Sequence, residues 1–218
     1  MKKTICWVIG LLAVTTLGAG QVLAKEGDWI LRVGAANVDP DAGSNVSNLG
    51  VNLDIDVDDD TQVGITAVYM MTDHIGLELL AATPFEHTIS SGELGVKVGT
   101  TKQLPPTLNL QYYFLGVDSS FRPYLGAGIN YTDFWDEDAA GEFEAIAGKS
   151  DIQLEDSWGL SLQVGLDYHI NDNWLVNAAV WNLDIQTTAT IDTENLGRVR
   201  TDVDIDPWVY MVAVGYKF

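Results

Sequence analysis

Hydrophobic and polar residues alternate in eight separate stretches, near 29–38, 61–71, 76–85, 107–115, 121–132, 157–169, 174–186 and 207–218. A period of two is the signature of a strand with two unlike faces. The stretch 157–169 shows it best: Trp158, Leu160, Leu162, Val164, Leu166 and Tyr168 fall on one face, and Gly159, Ser161, Gln163, Gly165 and Asp167 on the other. Each stretch is close to the ~9–11 residues that cross a bilayer as a tilted strand. A soluble sandwich would cover its polar face with Lys and Glu. Gly and Ser in their place suit the crowded inside of a small barrel.

The links between stretches are of two kinds. Thr72-Asp73-His74-Ile75, Gly116-Val117-Asp118-Ser119-Ser120 and Ile170-Asn171-Asp172-Asn173 are tight turns, whereas 39–60, 86–106, 133–156 and 187–206 are long. Long and short links on opposite ends, with an even strand count, predict an all-β fold: an eight-stranded antiparallel transmembrane β-barrel with four long extracellular loops and three short periplasmic turns. In hydrocarbon every backbone N–H and C=O needs an internal partner, so the sheet must join its own edges. The last stretch, DPWVYMVAVGYKF, therefore pairs with the first along its whole length, and Phe218 is a ladder residue. Trp29, Tyr69, Trp158, Tyr168, Trp174, Trp208, Tyr216 and Phe218 sit at stretch ends and face outward, as interfacial aromatic girdles do.

The amino terminus has a different pattern. Lys2 and Lys3, an apolar run from Ile5 to Leu17, and the ending Val22-Leu23-Ala24 read as a secretory signal peptide over 1–24, which leaves the barrel as 25–218. The run is too short to span a membrane as a helix. The single cysteine, Cys6, lies inside this segment, so no thiolate or disulfide chemistry is expected of the barrel. The chain is acidic, with a formal net charge of −20, and it offers no basic face for nucleic acid. Outer-membrane lipid and lipopolysaccharide are the expected surroundings.

With the apolar register facing lipid, the inward residues follow, because a slip of one residue would reverse every face. Near the periplasmic end they include Arg32, Glu78, Arg122, Asp167 and Lys217, with Tyr113 and Asn177. Charges in so narrow a lumen must pair, and the set is expected to form a plug. Higher up, the inward residues are largely apolar: Val68, Leu80, Ala82, Trp181, Val209 and Met211, with Gly126, Gly128, Asn109, Gln111, Ser161 and Gln163 among them. A water-filled porin needs about 16 strands. Eight strands give a lumen that takes at most a thin hydrophobic molecule. Pro84 and the pair Pro105-Pro106 remove ladder donors from one hairpin near the outer rim, which marks either a lateral seam into lipid or simply the place where a strand ends.

Enzyme and metal chemistry find little support. His87 has Ser90, Ser91 and Glu86 near it in sequence, the residue types of a catalytic triad, but on a loop rather than on the rigid barrel; the chain is read as a non-enzyme with no catalytic residues. Asp54-Ile55-Asp56-Val57-Asp58-Asp59-Asp60 has the alternating carboxylates that suit calcium. The EF-hand positions for Gly and Glu are instead Asp59 and Ile65, so a solvated acidic loop is expected. No nucleotide or zinc motif occurs, and no cofactor is expected.

The stretches Tyr69–Phe85, Leu104-Pro105-Pro106-Thr107-Leu108, Phe121–Tyr131 and Asp206-Pro207-Trp208 resemble the outer membrane protein W (OmpW) family over nearly the whole barrel, with divergent loops around 41–60, 133–150 and 190–204. The resemblance implies an outer-membrane channel for passive uptake of small hydrophobic molecules, constricted by an inward Leu and Trp that correspond to Leu80 and Trp181. It also leaves an alternative, a non-conducting surface barrel that acts as a receptor, an adhesin or a stress-related envelope protein. The terminal aromatic Phe218 resembles the signal read by the barrel assembly machinery.

Overall fold

The computed structural model describes residues 24–44 and 54–218; the proposed signal segment lies outside them except for Ala24. Eight long strands form the barrel: β1 Trp29–Asp39, β2 Asp60–Met70, β3 Ile75–Ala82, β4 Thr107–Tyr113, β5 Phe121–Ala139, β6 Ser157–His169, β7 Trp174–Leu183 and β8 Trp208–Lys217. Each pairs antiparallel with its sequence neighbour, and β8 pairs with β1 from Ile30↔Lys217 to Asp39↔Trp208. The sheet is thus closed. Beyond the last pair the Phe218 N–H still donates to the Trp29 carbonyl at 2.9 Å, so the ladder runs to the carboxyl-terminal residue.

Alternation sets the two surfaces as the sequence implies. Leu160, Leu162, Val164, Val212 and Val214 are exposed on the outside, while Arg32, Glu78, Tyr113, Asp167 and Trp181 are fully buried inside. Outward aromatics pair at the periplasmic end, Trp29 with Tyr69 (5.1 Å between centroids), Trp174 with Tyr216 (5.0 Å) and Tyr216 with Phe218 (4.9 Å). At the outer end Tyr131 meets Trp158 at 4.8 Å. Rings that are apolar in body and polar at the tip suit the two interfaces.

Among the described residues, the long links contain strands of their own. Phe85–Ser91 and Val96–Leu104 form a ribbon that pairs with the outer half of β5, and Ile55–Val57 adds to its other edge. Ser150–Leu154, Gln186–Thr193 and Gly197–Asp204 form a second sheet, with Gly43–Ser44 at its edge. A short helix, α1 (Gly141–Ala147), turns its Phe143 and Ala147 against Val98, Ile152, Ile191 and Val199. The barrel wall therefore continues beyond the membrane as two ribbons with an apolar interior.

Candidate functional site

The lower lumen is filled by a polar cluster built around Arg32. Its guanidinium donates through Nη1 to Glu78 Oε2 at 2.8 Å and through Nη2 to Asp167 Oδ2 at 2.6 Å and the Tyr113 hydroxyl at 2.9 Å. Gln163 donates to the other Glu78 oxygen at 2.9 Å, Gln111 donates to Gln163 at 3.1 Å, and Asn177 donates to Asp167 Oδ1 at 2.8 Å. Gly165 leaves the space that the Tyr124 ring fills; a Cβ there would overlap the ring. The carboxylates and the guanidinium thus meet partners from β1, β3, β4, β6 and β7, which is what desolvated charges require. Arg122 lies above the Tyr113 ring at 4.5 Å and donates to the backbone carbonyls of Asp73 (2.6 Å) and Ala24 (2.7 Å).

Lys217, at the end of β8, pairs with Asp28 at 3.5 Å. Val68 does not line the upper lumen. β2 descends toward the periplasm, so Val68, two residues from its end, packs with Ile30, Met70, Tyr113, Tyr124 and Leu175 beside the plug.

Above the plug the lumen changes to hydrocarbon. Leu80 and Trp181 belong to one packed cluster with Ala36, Val38, Ala179, Val209 and Met211, which continues outward through Phe85, Phe134, Leu183, Val203 and Ile205. Trp181 is fully buried and its Nε1 has no hydrogen-bond partner, so packing alone holds the ring. Beyond this cluster lies a cavity of about 50 Å³, with walls from Ile55, Ile89, Val98, Ile152, Ile191 and Val203 and with His87 and Gln103 among its few polar lining residues. These walls come from segments read as loops. The missed signal is in Arg198-Val199-Arg200-Thr201-Asp202-Val203-Asp204-Ile205, whose alternation is as strict as that of any membrane strand: the apolar and Thr positions are buried and their neighbours are not.

The β3–β4 ladder is interrupted beside this region. Its last barrel pair is Leu80↔Thr107, and pairing resumes at Phe85↔Gln103 in the outer ribbon. Pro84, Pro105 and Pro106 occupy the interval. On its other side β3 is still held to β2 by Gly64↔Ala82 and by the Thr83 N–H to the Val63 carbonyl at 2.9 Å, so the gap faces β4 alone.

His87, the remaining candidate from the sequence, has both ring nitrogens engaged. Nδ1 meets the Asp58 carbonyl at 2.7 Å and Nε2 meets Gln103 Nε2 at 2.9 Å; neither touches a serine hydroxyl. In the acidic stretch, Asp60 accepts from Gln62, the Thr61 N–H and the Glu86 N–H at 2.7–2.9 Å.

A closed barrel with an apolar belt and aromatic pairs near both rims defines an integral bacterial outer-membrane protein, and the lumen described here belongs to the small-barrel class of membrane channels for small molecules. The OmpW family model matches residues 25–218, and the chain belongs to that family. Outer membrane protein W of Vibrio cholerae is 49% identical and that of Escherichia coli 47% identical, each over the full length of both chains. The crystal structure of OprG from Pseudomonas aeruginosa superposes with a TM-score of 0.85 at 46% identity, covering 91% of this chain and 99% of that one. Each of these is named as an outer membrane protein and none as an enzyme.

Proposed function

We propose that the protein carries small hydrophobic molecules passively across the lipopolysaccharide leaflet and releases them sideways into the bilayer. The observation that supports this most is the order of layers along the lumen: an apolar chamber, a buried apolar cluster with Leu80 and Trp181 that we take as the constriction, and beneath them paired charges that we take as the plug. An uncharged apolar solute gains by leaving water for the chamber, about 25 cal/mol for each Å² it buries. It gains nothing by displacing the Arg32 pairs, whose separation would strand charges. The route through the plug is thus closed to it, and the interval at Pro84, Pro105 and Pro106 is where the wall has the fewest ladder bonds.

The triple substitution Pro84→Thr, Pro105→Thr, Pro106→Thr restores N–H donors on both sides of the interval. Proteoliposomes with lipopolysaccharide in the outer leaflet are mixed with N-phenyl-naphthylamine, which brightens in lipid, and its arrival is followed by stopped flow. The expected result is arrival several-fold slower than with the unsubstituted barrel. Equal rates would overturn lateral release. The surface-receptor alternative gains ground if the unsubstituted barrel is no faster than protein-free membranes.

A further inference from the structure

The outer chamber has a specific polar asymmetry. Asp58 offers His87 Nδ1 a backbone carbonyl, which can only accept, so Nδ1 carries the ring hydrogen. In the neutral ring Nε2 is then an acceptor, and Gln103 must turn its amide nitrogen toward it. That contact leaves Gln103 Oε1 without a hydrogen-bond partner, although the side chain is 2% exposed and lines the cavity. A buried carbonyl oxygen left unpaired is costly.

The other polar lining groups do not relieve it. The Thr187 hydroxyl donates to the Glu155 carbonyl at 2.6 Å, Thr101 to the Lys102 carbonyl at 3.3 Å and Thr201 to the Asp202 carbonyl at 3.4 Å. Each lining hydroxyl thus has its hydrogen directed at the backbone, and the His87 ring hydrogen is held by Asp58. The chamber offers a solute an acceptor in an otherwise greasy wall.

From this asymmetry, and resting on the hydrophobic-uptake reading above, we propose that the outer chamber selects apolar solutes bearing one hydrogen-bond donor, an alcohol O–H or an N–H, which Gln103 Oε1 accepts. His87 is a positioning residue: it fixes the amide so that the oxygen faces the chamber. Ethers and hydrocarbons of the same size fill the apolar space but leave Oε1 unpaired. A net hydrogen bond between neutral groups makes a difference of about two- to tenfold in affinity.

Benzyl alcohol and anisole are isomers that differ in having or lacking a donor. Each is titrated into the barrel in phosphatidylcholine nanodiscs, and binding is followed through the Gln103 side-chain amide resonances and chamber methyl groups. The expected result is benzyl alcohol binding about two- to tenfold more tightly than anisole, a ratio that falls to about one in Gln103→Met while anisole still binds. Thr187→Val removes a hydroxyl whose hydrogen is already committed and keeps the ratio, which controls for packing damage. Equal binding of the isomers by the unsubstituted barrel, or a preference that survives in Gln103→Met, overturns donor selection and leaves hydrophobic uptake standing. Failure of both isomers to perturb any chamber resonance overturns the two together.

Discussion

Replacing Arg32 by Met should destabilise the barrel out of proportion to its single charge. The side chain is fully buried and its guanidinium holds Glu78 at 2.8 Å, Asp167 at 2.6 Å and the Tyr113 hydroxyl at 2.9 Å. Met fills comparable space but strands two carboxylates. Breaking a buried pair by removing one partner costs about 3–5 kcal/mol. Gln163 and Asn177 still donate to Glu78 and Asp167, which places the expected loss toward the lower end, about 3 kcal/mol. With a urea dependence of about 2 kcal/mol per M, the unfolding midpoint in lipid vesicles should fall by roughly 1.5 M. The triple variant Arg32→Met, Glu78→Met, Asp167→Asn removes the charges together and should recover most of that loss, since buried ion clusters are often replaceable by apolar groups at little net cost. A midpoint for Arg32→Met equal to that of the unsubstituted barrel would refute the reasoning, because it would mean that the two carboxylates do not depend on Arg32.

Further outcomes follow from the same geometry. Deleting Phe218 removes the N–H donated to the Trp29 carbonyl and an aromatic packed on Tyr216, and we propose that it also removes the feature read by the assembly machinery; the fraction of heat-modifiable barrel in the outer membrane should drop several-fold, and an unchanged fraction contradicts this. Burial pushes the His87 pKa down, against the upward pull of the Asp58 carbonyl and of the Asp60, Asp59 and Asp58 charges; no other lining residue of the chamber is ionisable. Because the folded value lies below the ordinary His value near 6.5, the neutral ring is the folded form above that pH, and the stability tied to it is lost as the pH falls from about 6.5 toward the folded value. Once protonated, Nε2 becomes a donor and draws Gln103 Oε1 to itself, so the preference for benzyl alcohol over anisole should shrink as the His87 ring protonates, followed by its ring nitrogen resonances in the unsubstituted barrel; a ratio unchanged once those resonances report the protonated ring contradicts the assignment of His87.

The membrane portion of the fold was legible because lipid imposes one rule on every strand. Trp158, Leu160, Leu162 and Val164 must face out, and that register places Arg32, Glu78, Asp167, Leu80 and Trp181 inside without further information. Depth was less legible than direction. Periodicity gives the side of the sheet but not the stagger between strands, so it sets Val68 higher in the lumen than its actual place beside Tyr113 and Tyr124. An inward register position at a strand end also does not fix which partner a long side chain reaches, as the Lys217 pair with Asp28 illustrates. The ordered ribbons were missed for a different reason: their outward faces carry Arg198, Arg200, Asp202 and Asp204, so they look like acidic loops unless the buried Val199, Val203 and Ile205 between them are counted. Gln103 could not have been found from sequence. Its unpaired oxygen exists only because Asp58, forty-five positions earlier in the numbering, fixes the tautomer of His87.

Lipopolysaccharide slows hydrophobic molecules, and the proposed function is that this lumen speeds them across it. Phospholipid bilayers pass such molecules unaided, so the decisive measurement is made across an asymmetric membrane with lipopolysaccharide on the outer side, comparing N-phenyl-naphthylamine arrival with and without the barrel at equal lipid. The rate should rise in proportion to the number of barrels, and should do so for the uncharged solute but not for a charged analogue of similar size. Equal rates with and without the barrel would contradict the proposed function.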